Sequence, residues 1–335
     1  MSESSAKGGF EYIDNFSITW RELRIPLHLT LFIVTLFTTT MAGVEWIGKD
    51  PLNLLNFKFG LAYSLSLLLV LGTHEFGHFF YSLRHHVRAT LPYFIPFPVL
   101  PGMLNFGTLG AVIRTKTVVP SRKAIFDIGV SGPIAGFIVS VAVLIFGFTH
   151  LPSKEFLLHI HPNYNFATNT APDSDGVPLA FGNTILFKTL EIIFTNPHKE
   201  FVPPMTEIYH YPFLCVGWFG LFVTAMNLLP IGQLDGGHMI YAMFGSAHRK
   251  IARVFFFIIL FIGLLGLLPL LGLNTDFGWT GRLFWCLILF FVIKLDHPPV
   301  LGSTPLDTKR KIIGWLTILI FIVSFSPTPF TISLR

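Results

Sequence analysis

Seven stretches of this sequence, at residues 26–47, 59–83, 124–149, 213–230, 251–273, 279–295 and 312–326, are long and apolar enough to cross a bilayer, the last two least distinctly. Nothing else in the chain constrains the fold as much. Hydrocarbon offers no partner to a backbone N–H or C=O, so only helices and closed barrels can span it, and runs of about 20 apolar residues select the helix. The overall balance agrees: 52% hydrophobic, 15% aromatic and 12% charged residues in a chain of 335 describe a multi-span membrane protein rather than a soluble domain. The formal charge of +5 does not point to nucleic acid, because the basic residues form short clusters between apolar runs and no single stripe.

Those clusters set an orientation. Arg84, Arg88, Arg114, Lys116, Arg122 and Lys123 separate the second and third runs, Arg249 and Lys250 the fourth and fifth, and Lys309, Arg310 and Lys311 the sixth and seventh. Short cytoplasmic loops carry the Lys and Arg. The N-terminus is therefore expected in the cytoplasm and the C-terminus outside, across a bacterial inner membrane or an equivalent one. Residues 1–24 are polar and mixed in charge and lack the basic start of a secretory signal, so the first span is expected to be retained. Cys215 and Cys286 both fall inside apolar runs and support neither a disulfide framework nor a cysteine metal site.

The second run ends in His74-Glu75-Phe76-Gly77-His78. On a helix the two histidines share one face and can bind one metal ion, with Glu75 offset by about 100°. This is the HExxH arrangement of two zinc ligands and a general base. Ionisable residues in hydrocarbon are costly, and three within five positions need a common cause such as a metal, a wet cavity or mutual pairing. The plain alternative is a pair of histidines capping a helix end at the membrane surface. Catalytic zinc also takes a third protein ligand. The fourth run ends Asn227-Leu228-Leu229-Pro230-Ile231-Gly232-Gln233-Leu234-Asp235-Gly236-Gly237-His238, where Pro230 and Gly232 break the helix. The topology makes this run parallel to the second, so Asp235 reaches the depth of His74 and His78. It can complete a two-histidine, one-carboxylate site with an open fourth position. Capping of the following helix by Asp235, or ligation by His238 in its place, remain open on spacing alone.

Residues 91–117 are neither a clear span nor a polar loop. Prolines 92, 96 and 98 exclude a helix from the first half, and Phe106–Ile113 reads as a short strand in which Gly107 and Gly110 let another backbone approach. An edge strand that pairs with an extended peptide and a proline-rich connection dipping into the interface fit about equally well. In the third run, small residues at 129, 132 and 136 permit close packing against the metal-bearing helix. Asp127 reads as a helix-terminal charge. The outer connection from His150 to Pro212 holds a loop (Asn163, Asn165, Asn169, Asp173, Asp175, Gly176), then an apolar stretch from Leu179 to Phe194 expected as a helix on the membrane surface. His159, His161, His198 and His210 have no metal-type spacing and read as solvated; His297 reads as interfacial.

Three motifs, His74–His78, Asn227–Gly236 in the form Asn-x-x-Pro-x-x-x-x-Asp-Gly, and Ser131–Gly136 in the form Ser-Gly-Pro-x-Ala-Gly, resemble the site-2 protease family of intramembrane zinc metalloproteases. The resemblance covers about residues 57–245. It implies one Zn2+ held by His74, His78 and Asp235, Glu75 as catalytic base, and Asn227 helping to hold the substrate backbone, aided by Gly107, Thr108, Leu109 and Gly110 of the strand. The implied fold is an all-α polytopic membrane protein of about seven transmembrane helices, with a three-helix catalytic core and a membrane-associated β-hairpin or strand. The expected division is a cytoplasmic segment at 1–25, a first span and outer loop at 26–56, the core at 57–245 and C-terminal spans at 246–335. The implied substrate is a single-span membrane protein in the bilayer. Many relatives carry a PDZ domain in the core, and the outer connection is too short to hold one. A metal-binding regulator without proteolysis is the rival reading, but it predicts loss of Glu75 or a ligand. A metal transporter predicts polar residues along the spans, which the first, fifth and seventh runs lack.

Overall fold

In the computed structural model, which describes residues 24–98, 105–171, 179–197, 200–273, 278–298, 300 and 304–332, each apolar run carries a helix. In chain order the elements are α1 (Ile25–Trp46), α2 (Phe57–Arg84), β1 (Tyr93–Pro96), β2 (Thr108–Val112), α3 (Arg122–Thr149), α4 (Glu155–Ile160), β3 (Leu179–Phe181), α5 (Ile185–Phe194), α6 (Pro212–Asn227), α7 (Asp235–Phe244), α8 (His248–Leu265), α9 (Gly281–Leu287), α10 (Thr308–Ser324) and β4 (Phe330–Ile332). The polar N-terminal segment to residue 23, Asp173, Asp175, Gly176 and His198 lie outside the described residues. Among the described residues, three helices are long and apolar enough to cross a membrane: Ile25–Trp46, Leu54–Arg84 and Arg122–Thr149. Pro212–Asn227 and Gly281–Ile293 are apolar but shorter. The fourth run does not continue as helix to Pro230: α6 stops at Asn227, ahead of the proline that has no N–H to give.

Local chemistry explains the ends. Proline sits in the first turn of α1 and of α6, where its missing N–H costs nothing. The Ser121 side chain caps α3 by accepting from the Ala124 N–H at 3.2 Å, and Thr184 caps α5 by accepting from Phe187 at 3.0 Å. Threonines 30, 39 and 40 within α1 return their hydroxyls to the preceding turn, as Thr39 does to the Thr35 carbonyl at 2.7 Å.

Packing is closest where side chains vanish. A Cβ on Gly60 of α2 would stand 2.1 Å from the Thr40 carbonyl oxygen of α1. The buried core joins α2, α3 and α6 through residues such as Leu67, Leu71, Leu144, Trp218 and Leu221. Outward faces are apolar too: Leu65, Leu69, Ile138 and Phe257 are more than half exposed, as lipid-facing side chains are.

The 91–117 segment forms two strands. β1 and β2 pair antiparallel, with Tyr93 opposite Val112 and Phe94 opposite Ala111, and the register shifts before Pro96. The apolar stretch from Leu179 to Phe194 is not one helix: its first residues form β3, which pairs with β4 near the C-terminus, and α5 begins at Ile185. Thr184 supplies the start signal that divides the two. Asp127 is buried, not a free terminal charge. It takes two bonds from Arg310 of α10, Nε at 2.8 Å and Nη2 at 2.6 Å, and lies 2.8 Å from His85 Nε2 just past α2.

Candidate metal centre

His74 and His78 occupy successive turns of α2 and are 5% and 6% exposed. Their Nε2 atoms lie 3.1 Å apart. Asp235 opens α7, and its Oδ2 stands 3.3 Å from each of those nitrogens. Zinc bonds of about 2.0–2.2 Å to nitrogen and oxygen imply ligand-to-ligand edges of about 3.3–3.4 Å on a tetrahedron. The three atoms therefore outline one tetrahedral face, and the residues fit a zinc ion with the fourth corner left to other groups. The donor set points the same way. His78 Nδ1 lies 2.7 Å from the Ile128 carbonyl oxygen, which can only accept, so the proton is on Nδ1 and Nε2 presents a lone pair to the centre.

The break between α6 and α7 at Pro230–Gly232 brings Asp235 there. Gly236 and Gly237 fold back onto the turn, where Cβ atoms would lie 2.0 Å from the Leu228 carbonyl oxygen and 2.3 Å from that of Gly232. Only glycine tolerates such an approach. The two rival readings of this stretch go elsewhere. The N-cap of α7 is Leu234, and the Asp235 carboxylate lies on the imidazoles of α2. His238 turns to His297, with Nδ1 and Nε2 2.7 Å apart, and His297 also stacks on Tyr241 with ring centroids 4.2 Å apart. His297 is thus tied to α7.

The small residues of α3 form the wall behind the centre. A Cβ on Gly132 would fall 2.1 Å from His78 Nε2, one on Gly136 3.1 Å from His74 Cβ, and one on Gly129 2.9 Å from His238 Cβ. Each glycine faces one member of the cluster or its neighbour, which is why their spacing follows the helical repeat.

Glu75 is 8% exposed, and its carboxylate lies beside the Ile113 N–H at the end of β2. Asn227 Nδ2 lies 3.3 Å from His74 Nε2. The strand residues divide. Gly107 has positive φ and spends its backbone internally: its N–H goes to Asn105 Oδ1 at 2.6 Å, and its carbonyl takes Phe97 N–H at 3.1 Å and the Thr38 hydroxyl at 2.6 Å. Thr108 bonds the Ile95 carbonyl at 2.7 Å. Leu109 is 67% exposed, and nothing lies within 4 Å of a Cβ built on Gly110. Ile128 and Ile113 act here through main-chain atoms, which side-chain identity does not advertise.

A second cluster lies on the connection between α3 and α6, where two histidines were expected to be solvated. His210 is 4% and Glu207 4% exposed, and His161 Nε2 reaches to 3.0 Å from His210 Nε2. Burial pushes the Glu207 carboxyl up to about 7 and the His210 imidazole down to about 3. His159 is exposed.

Comparison with known proteins places the chain. Residues 62–270 match the model of peptidase family M50. The chain is 26% identical over 310 residues to a probable zinc metalloprotease EGY2, chloroplastic, of Arabidopsis thaliana, covering 89% of this chain and 48% of that protein. It is 27% identical over 304 residues to the EGY2 protein of Oryza sativa subsp. indica, covering 89% and 49%, and 28% identical over 268 residues to a probable zinc metalloprotease EGY1, chloroplastic, of Arabidopsis thaliana, covering 80% and 42%. The chain thus spans about half the length of the curated relatives it matches. No solved structure matches it significantly. Because the family model covers more than half of the chain and takes in all three motifs, this protein belongs to peptidase family M50, the site-2 protease family that those motifs resemble.

Proposed function

We propose that this chain hydrolyses peptide bonds of membrane-embedded or membrane-associated proteins, with one zinc ion held by His74, His78 and Asp235. The observation that carries the proposal is the triangle of 3.1, 3.3 and 3.3 Å formed by two buried imidazoles and a carboxylate from separate helices. When bound, zinc supplies Lewis acidity toward a water molecule and toward a peptide carbonyl. Glu75 removes the proton from the attacking water and delivers it to the leaving amine, the role of a positioned carboxylate general base. The Ile113 N–H lies beside that carboxylate. The Asn227 amide, beside His74, positions the substrate backbone.

A transmembrane helix hides its scissile carbonyls in its own hydrogen bonds, so a single-span substrate must unwind before it can be cut. The open side of β2 at Leu109–Val112 offers an edge for the unwound segment, next to Glu75. Gly107 supports this edge by anchoring it to α1. An apolar crevice of about 570 Å³ lined by Phe32 of α1, Leu68, Gly72, Phe76 and Phe80 of α2 and Phe94 of β1 suits the apolar side chains of such a segment. The reading includes seven spans, a core at 57–245 and the centre toward the cytoplasmic side, where the basic clusters flank α2 and α3.

The test is cleavage of a single-span reporter by purified protein. Glu75→Gln is expected to slow cleavage by about 10²–10⁴-fold, the usual contribution of general-base catalysis, with zinc content retained. Cleavage at the parent rate would reject the proposal.

A further inference from the structure

His161, Glu207 and His210 come from opposite ends of the outer connection and meet in a buried cluster beside Trp46, at the far end of α1. His161 Nε2 and His210 Nε2 are 3.0 Å apart, and Glu207 Oε2 is 3.7 Å from the first and 3.6 Å from the second. His210 Nδ1 lies 2.5 Å from the Trp46 carbonyl oxygen. A carbonyl only accepts, so that nitrogen carries the proton and Nε2 turns its lone pair inward, the arrangement that orients a metal-ligating histidine. Glu207 Oε2 is buried and has no hydrogen-bond partner. An inward lone pair, an inward imidazole nitrogen and an orphaned carboxylate oxygen facing one another repel unless something positive lies among them. Their separations bracket the edge of about 3.3 Å expected for a tetrahedral site.

We propose that His161, Glu207 and His210 form a second metal site for a zinc-like divalent cation, on the opposite end of the molecule from His74, His78 and Asp235. Glu207 and His210 are three residues apart on the 3₁₀ turn Ile208–His210, where positions i and i+3 eclipse and present both groups to one point. His161 closes the site from just beyond α4. A metal there ties the segment after α3 to the turn that starts α6 and, through the second nitrogen of His210, to the end of α1. Its role is structural: it locks the outer ends of three helices while the hydrolytic chemistry takes place at the other end.

Zinc stoichiometry of tag-free full-length protein in detergent, after equilibration with zinc and gel filtration, tests the site. Two ions per chain are expected for the parent, one for His74→Ala/His78→Ala, one for His161→Gln/Glu207→Gln, and none when all four changes are combined. Cobalt bound to the His74→Ala/His78→Ala protein should show the visible absorption of a tetrahedral site and lose it on adding His161→Gln. Zinc should also raise the thermal unfolding midpoint of the His74→Ala/His78→Ala protein but not of the four-fold variant. If the His74→Ala/His78→Ala protein binds no metal, the outer cluster holds a shared proton and no cation, and the proposal is overturned. It is equally overturned if the metal count is insensitive to His161 and Glu207. Failure of the first site would appear separately, as a stoichiometry unchanged by the His74 and His78 substitutions.

Discussion

Replacing Gly132 by alanine should damage the metal centre without touching a ligand. The added Cβ would lie 2.1 Å from His78 Nε2 and 2.5 Å from both Cδ2 and Cε1, so contact is with the ring face itself and not with a flexible tip. To restore even a tight contact the imidazole must retreat by about 1 Å, several times the ±0.2 Å that metal–ligand bonds tolerate. The ring cannot slide freely, because Nδ1 is held by the Ile128 carbonyl at 2.7 Å. Either that bond breaks or the 3.1 Å and 3.3 Å edges to His74 and Asp235 open. Disturbing a group that orients a ligand costs about 10–100-fold in metal affinity, equivalent to about 1.4–2.7 kcal/mol. Against this, alanine gains up to about 1 kcal/mol of helix propensity over glycine, so global stability should change far less than zinc binding does. Competition against a chelator of known affinity, with thermal unfolding in parallel, separates the two effects. Gly136→Ala, whose Cβ would meet His74 Cβ at 3.1 Å, should show a smaller loss. If Gly132→Ala binds zinc as tightly as the parent and cleaves a reporter as fast, the packing argument for α3 is wrong.

Asp127→Asn removes one of the two carboxylates that Arg310 of α10 holds, with Asp307 remaining as the other. The expected cost is about 1.5–3 kcal/mol, that of hydrogen bonds to a charged group, because the Arg310 side chain is 26% exposed and keeps Asp307; thermal unfolding should report it while zinc content stays unchanged. Gly60→Ala drives a methyl to 2.1 Å from the Thr40 carbonyl oxygen, backbone that cannot turn aside, and should destabilise by about 1–3 kcal/mol, read as a lower unfolding midpoint; an unchanged midpoint would contradict the close α1–α2 contact. Ala111→Pro removes an N–H from β2. If a substrate strand adds there, cleavage of a helical reporter should fall about two- to tenfold, the worth of one backbone hydrogen bond, with zinc retained, and parent-like cleavage would remove β2 from the mechanism.

The sequence by itself determined the helices and one half of the centre. Membrane helices are encoded by near neighbours, since each buried backbone group must find its partner within a turn, so the apolar runs and α1 to α3 coincide almost residue for residue. His74 and His78 were legible for the same reason: a four-residue spacing on a helix is already a geometry. Asp235 came within reach through the alternation of basic loops, which set its depth, though spacing alone left His238 and a capping role open. Tertiary packing decided between them by turning His238 to His297 and Asp235 to α2. It also decided what no local pattern carries: which side chain each glycine of α3 backs, that Asp127 meets Arg310, and that His161 and His210 face each other in a buried cluster. Those contacts depend on how helices cross and where a connection returns. A residue's neighbours in the chain fix its helix and its face, whereas the groups that share its site are chosen by the packing of whole elements.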